Sequence, residues 1–102
     1  MVVDLKANEM VIKAGDSSQL LDNQEVKGKF IVTNQRIYFI SAAKDTEYAN
    51  REINPDQILE VIYVKGKKLF SKGLNVVTKD GDSHMFIVKK RNEFGQLINK
   101  MY

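Results

Sequence analysis

Apolar residues along this chain fall in short runs broken by turn formers, and through most of its length they alternate or cluster as β-strands do. From Glu9 to Val88 the pattern predicts strands in an antiparallel arrangement. Met10–Leu21 alternates imperfectly around Gly15, so a strand bent or bulged at that glycine is expected, with a turn at Asp22 and Asn23. Lys27–Thr33 and Arg36–Ser41 are separated only by Asn34 and Gln35, the length of a tight hairpin loop. Adjacent apolar positions in both (Phe30 with Ile31, Tyr38 with Phe39) predict cover on either face. A polar loop over Ala42–Glu47 leads to a short run ending at Ile53. Asn54, Pro55 and Asp56 then turn the chain into Ile58–Val64. Leu74–Thr78 and His84–Val88 form a last hairpin around Asp80, Gly81 and Asp82, which makes seven strands.

The period changes at the end of the chain. Phe94, Leu97, Ile98 and Met101 recur at helical spacing, placing one apolar stripe along a C-terminal helix with Asn92 as its cap. A helix this short is marginal alone, so the stripe is expected to cap an open end of the sheet. Gly95 within it is a local weakness of about 1 kcal/mol relative to alanine, for which close packing against the sheet is one reason.

Length and composition narrow the class. A chain of 102 residues is expected to be a single domain, 1–102, able to bury roughly 60 to 70 per cent of its unfolded surface and too small to enclose a large substrate. The apolar runs, such as Phe30–Val32 and Ile37–Ile40, fall far short of the roughly 20 residues a spanning helix needs. Met1–Asp4 lacks the pattern of a secretory signal and there is no cysteine, so the cytoplasm is the expected compartment. A net charge of +3 permits contact with anionic surfaces, but its placement matters more than its size.

The candidate chemistry is sparse. His84 is the only histidine; with Asp82 nearby it offers two potential metal ligands, where a zinc site needs three or four. Ser83 points to the other side of the strand from His84, so no nucleophile and base are paired. Asp80 with Asp82, and Glu47 with Glu52, read as solvated loop carboxylates, and the six glycines match no phosphate loop or dinucleotide fingerprint. No catalytic residue, cofactor or metal is therefore expected. The richest cationic cluster is Lys65, Lys67, Lys68 and Lys72 around Leu69 and Phe70, joined by Lys89, Lys90 and Arg91 before the helix. These lysines are candidates for an anionic surface, with Leu69 and Phe70 either wedging into it or folding back on the core. Nucleic acid is disfavoured by the few interleaved aromatics and the low total charge.

Seven antiparallel strands followed by one amphipathic helix is the architecture of a pleckstrin-homology-like domain: mainly β, a curved sheet or barrel capped by the helix. Gly28-Lys-Phe-Ile-Val-Thr33-Asn34-Gln-Arg36-Ile-Tyr-Phe39-Ile-Ser41 resembles the hairpin of GRAM and bacterial pleckstrin-homology domains, where a glycine precedes a T-N-x-R-like turn and an aromatic strand. Ile53-Asn-Pro55-Asp-Gln-Ile58-Leu-Glu-Val61, Thr78-Lys-Asp-Gly81 with Phe86, and the opening Leu5 and Glu9 are similar to the same family. The resemblance implies a non-catalytic binding module rather than an enzyme. In phosphoinositide-binding members the ligand sits among the first, third and sixth interstrand loops. Here those loops would carry Asp22, Glu25, Asp45, Glu47, Asp80 and Asp82 against Lys44 and Lys79, and Coulomb repulsion disfavours a polyanion there. The lysine cluster falls in the fifth loop, at the opposite end, so a charge-polarised barrel is expected. The first functional expectation is protein interaction or self-assembly through sheet edges, loops or the helix-bearing face. The second is peripheral attachment to an anionic membrane through residues 65–72.

Overall fold

A computed structural model describes residues 5–21, 24–65 and 72–102. Seven strands, β1 (Val11–Leu21), β2 (Gln24–Thr33), β3 (Ile37–Ser41), β4 (Arg51–Ile53), β5 (Ile58–Lys65), β6 (Lys72–Thr78) and β7 (Ser83–Val88), precede helix α1 (Arg91–Asn99). They form one antiparallel sheet in the order β4-β3-β2-β1-β7-β6-β5. β1 bonds β2 along its whole length but β7 only from Ser17 to Leu20, so this long strand belongs to both halves of the sheet. Short 3₁₀ segments over Lys44–Ala49, kinked at Thr46, and over Pro55–Gln57 flank β4, where the sequence pattern predicts loops. The second is closed by a capping box between Asn54 and Gln57, with Pro55 supplying a preset φ.

Two local expectations are corrected. The irregularity in β1 lies between Val11 and Lys13, whereas Gly15 pairs regularly with Phe30, and a Cβ there would sit in ordinary contact with the Phe94 ring. The helix is capped by Lys90 and not by Asn92. Lys90 adopts the left-handed conformation (φ 57°), which turns the chain sharply out of β7 and places Asn92 inside the first turn. The turn at Asp22 and Asn23 lies outside the described residues.

The core follows from alternation. Positions 26 and 30 of β2, 37 and 39 of β3, 74 and 76 of β6 and 86 and 88 of β7 face inward, and all eight residues are buried. Phe30 stands at the centre, its ring 4.8 Å from Phe86 and 5.2 Å, edge on, from Phe94. Phe94 and Ile98 are buried in the same cluster, with Leu97 and Met101 packed against it at the margin. The apolar stripe of α1 thus plugs the open side of the curved sheet. Gly95 has a steric reason: a Cβ there would overlap the Tyr63 ring of β5, which lies flat against the helix.

The T-N-x-R turn is a polar clamp on the chain's first described segment. Thr33 Oγ1 accepts from the Gln35 and Arg36 amides (3.1 and 2.9 Å), shaping the β2–β3 turn, and donates to Glu9 Oε2 at 2.7 Å. Asn34 accepts from the Met10 amide (2.8 Å) and donates to the Asn8 carbonyl (3.0 Å), while Gln35 donates to Ala7 O (3.1 Å). Arg36, also buried, donates to both oxygens of Glu9, stacks 4.6 Å from the centre of the Tyr38 ring and reaches Glu52 at 3.0 Å. Its guanidinium holds the Glu9 carboxyl down at about 2, against an opposing contribution from burial and with help from Thr33 and the Lys6 amide.

Candidate functional site

Strand register sorts the connections between two ends of the sheet. Leu20 opposes both Glu25 and Met85, so the first and sixth connections lie at one end. Gln19 Nε2 donates to Ala49 O (2.6 Å) and Tyr48 Oη to Gln24 (3.3 Å), tying the third connection to that same end. Glu25, Asp45, Glu47, Asp80 and Asp82 are all exposed there. Thr78 Oγ1 and the Asp82 amide donate to Asp80, and these bonds hold its carboxyl below the ordinary carboxylate value. His84 stands on the inward side of β7 near this end; burial, then Arg51, pushes its pKa down.

The opposite end is cationic. Lys65 and Lys72 face one another as the last pair of the β5–β6 ladder. Lys67 and Lys68, with Leu69 and Phe70, lie outside the described residues. The pairing of Gly73 with Ile87 carries Lys72 alongside the end of β7, where Lys89 and Lys90 leave the sheet and Arg91 begins α1. Across β1, the pairing of Ser18 with both Lys27 and Ile87 brings Lys27 to the same place. The result is an open groove of about 820 Å³, with Ser17, Ser18, Gly28 and Ile87 among its walls. Lys27, Lys72, Lys89, Lys90 and Arg91 surround it, against a single carboxylate among the described residues, Asp16.

These cations do not play one role. Arg91 Nη1 donates to Val64 O at 2.7 Å and its guanidinium lies 5.8 Å from the Tyr63 ring centre, so Arg91 fastens the helix to β5. Lys27, Lys72, Lys89 and Lys90 are exposed. A groove so lined can draw in and hold an anionic group. Of the lysines expected on the basic connection, the structure brings Lys72 to this groove and leaves Lys65 as its cross-strand neighbour. Lys27 was not legible as a partner, because nothing near it in sequence joins it to the basic connection until the β1–β2–β7 register sets it across β1 from Ile87.

No family model matches the chain, and no curated relative does. Solved structures do match. The C-terminal domain of an unknown protein from Leishmania infantum superposes with a TM-score of 0.80 at 19% identity, over 93% of this chain and 85% of that one. The Vps36 N-terminal PH domain gives 0.72 at 19% identity, over 94% and 83%. A DUF1696 family protein with a pleckstrin-homology domain from Shewanella loihica gives 0.66 at 12% identity, over 95% and 82%. Together with the strand order and terminal helix, these place the chain in the pleckstrin-homology-like fold.

Proposed function

We propose that this domain is a non-catalytic binding module that attaches to anionic membrane surfaces through the groove bounded by Lys27, Lys72, Lys89 and Lys90. A pleckstrin-homology-like frame suggests a binding module in general. The observation that carries the finer reading is the gathering of those four exposed lysines and Arg91 around one groove with only Asp16 opposing them. The acidic connections sit at the far end of the strands, so the domain's own field favours presenting the groove to a negative surface. Each lysine near an anionic bilayer contributes about 1 kcal/mol, so four give about 4 kcal/mol and a dissociation constant near the millimolar range. Lys67 and Lys68, on the connection between β5 and β6, add to the same basic stretch of sequence. Binding of this kind is weak, reversible and screened by salt.

Sedimentation with anionic and neutral vesicles tests the reading. The native chain is expected to pellet with anionic vesicles at low salt and to be released as salt rises, whereas Lys72→Glu with Lys89→Glu stays in solution. Equal, negligible pelleting with both vesicle types would remove the proposal. A second reading, association with another protein, is favoured by a different observation: the outward face of β5, β6 and β7 carries Ile62, Val64, Val77, Met85 and Ile87 beside Asn75, where a solvated sheet face is ordinarily more polar.

A further inference from the structure

The outward-facing positions of the β1–β7–β6–β5 half of the sheet are set by register. Leu20 opposes Met85, Met85 opposes Asn75 and Asn75 opposes Ile62; in the next row Ser18, Ile87, Gly73 and Val64 follow one another. Leu20 and Ile62 are 40% and 42% exposed, and Met85, Ile87, Val64 and Val77 are each partly exposed. Alternation on a sheet with one solvated face would put polar side chains at these positions. This band, interrupted by the polar Asn75 and Ser18, is bordered on one side by Glu25, Glu60 and Asp82 and on the other by Lys27 and Lys89, all five border residues exposed.

A face with a negative edge, an apolar middle and a positive edge, in that order along the strands, is complementary to itself turned through half a revolution. Stacked on a second copy with strands antiparallel, the apolar bands meet while each acidic edge lies over the other's lysines. A parallel stacking would set like charges together, and the resulting repulsion selects the antiparallel orientation. Such a contact is isologous and closes at two copies.

From this pattern we infer that the outward face of β5, β6, β7 and β1 is a homodimer interface, seating a second copy of this chain in antiparallel, face-to-face contact. The two sheets then pack at the usual spacing of about 10 Å. The inference is independent of membrane attachment, although the positive edge shares Lys27 and Lys89 with the basic groove. Ile62 separates the two readings, because it lies on the apolar band and away from the groove.

Sedimentation equilibrium of the full chain over a concentration series is the test. The average mass is expected to rise from one chain toward two at low salt, with the dimer weakening about tenfold at high salt as the edges are screened. Ile62→Asp, which sets an unpaired charge in the apolar band, weakens it by about tenfold or more while leaving vesicle binding intact. Ile62→Thr keeps strand propensity and gives a smaller shift in the same direction, so loss of fold is distinguished from loss of contact. Lys27→Glu with Lys89→Glu, and separately Glu60→Lys with Asp82→Lys, each weaken self-association, and mixing the two variants restores a mixed dimer. A mass of one chain at every concentration overturns the inference. So does association that survives both Ile62→Asp and charge reversal, or growth beyond two copies.

Discussion

Arg36 grips Glu9 with two parallel hydrogen bonds, from Nε at 2.9 Å and Nη2 at 2.6 Å, across 27 positions of sequence. Both side chains are almost wholly withdrawn from water. Paired this way, the two charges satisfy one another; removing Arg36 leaves the Glu9 carboxylate in a dry site, whereas removing Glu9 leaves Arg36 its ion pair with Glu52.

Arg36→Met is therefore expected to cost about 3 kcal/mol, a large share of the stability of a domain this size. Glu9→Gln keeps the shape and loses the charge, so its cost should be smaller. Urea unfolding of both variants against the native chain measures the difference, and equal stability of all three would show the pair to be idle.

The same pair sets the acid response. The folded-state pKa of Glu9 is about 2 and its ordinary value 4.5, so the folded state releases the proton more readily. The stabilisation is fully present above about 4.5 and is lost as pH falls toward about 2. His84 acts in a separate window: burial lowers its folded pKa below 6.5, so stability also declines as pH drops through that value. In a pH series of unfolding midpoints, Glu9→Gln should flatten the lower limb and His84→Gln the upper one. An unchanged lower limb in Glu9→Gln would contradict the assignment.

The helix stripe should be uneven in energy. Phe94→Ala and Ile98→Ala remove fully buried side chains and are expected to cost about 3 to 5 and about 2 to 5 kcal/mol, respectively. Leu97→Ala and Met101→Ala act at the margin of the core and should cost less. Thermal unfolding of the four variants ranks them; a flat series would mean that α1 does not close the sheet.

Glycine substitutions separate two kinds of close approach. A Cβ at Gly28 would run into the Ile40 carbonyl, and one at Gly73 into the Phe86 carbonyl, both on neighbouring strands. Backbone cannot swing aside, so either alanine is expected to cost about 1 to 3 kcal/mol. At Gly95 the obstacle is the far end of Tyr63, which can move. In a Tyr63→Ala background, Gly95→Ala should become stabilising, by about 1 kcal/mol from helix propensity. A double-mutant cycle reads this, and additive effects would show that the ring and the glycine are not coupled.

Much of the architecture was legible in the residues. Strand periodicity in Phe30–Val32 and Leu74–Thr78, the two-residue gap at Asn34 and Gln35, and the helical spacing of Phe94, Leu97, Ile98 and Met101 are local signals, because each element must present one face to the core. The T-N-x-R turn could be matched to a family, but its purpose could not be read: Glu9 lies far away along the chain. The cap at Lys90 and the irregularity beside Val11 were missed because left-handed conformations and bulges are set by what the chain must next pack against.

Element types and their order were readable from the residues alone, since these depend on neighbours along the chain. Only the tertiary structure decided that Lys27 and Lys72 meet Lys89 and Lys90 at one groove, and that Leu20, Met85 and Ile62 align into one outward band. Those juxtapositions depend on strand register, which arises from pairing between segments distant in sequence, and a shift of one residue would turn every one of these side chains to the other face.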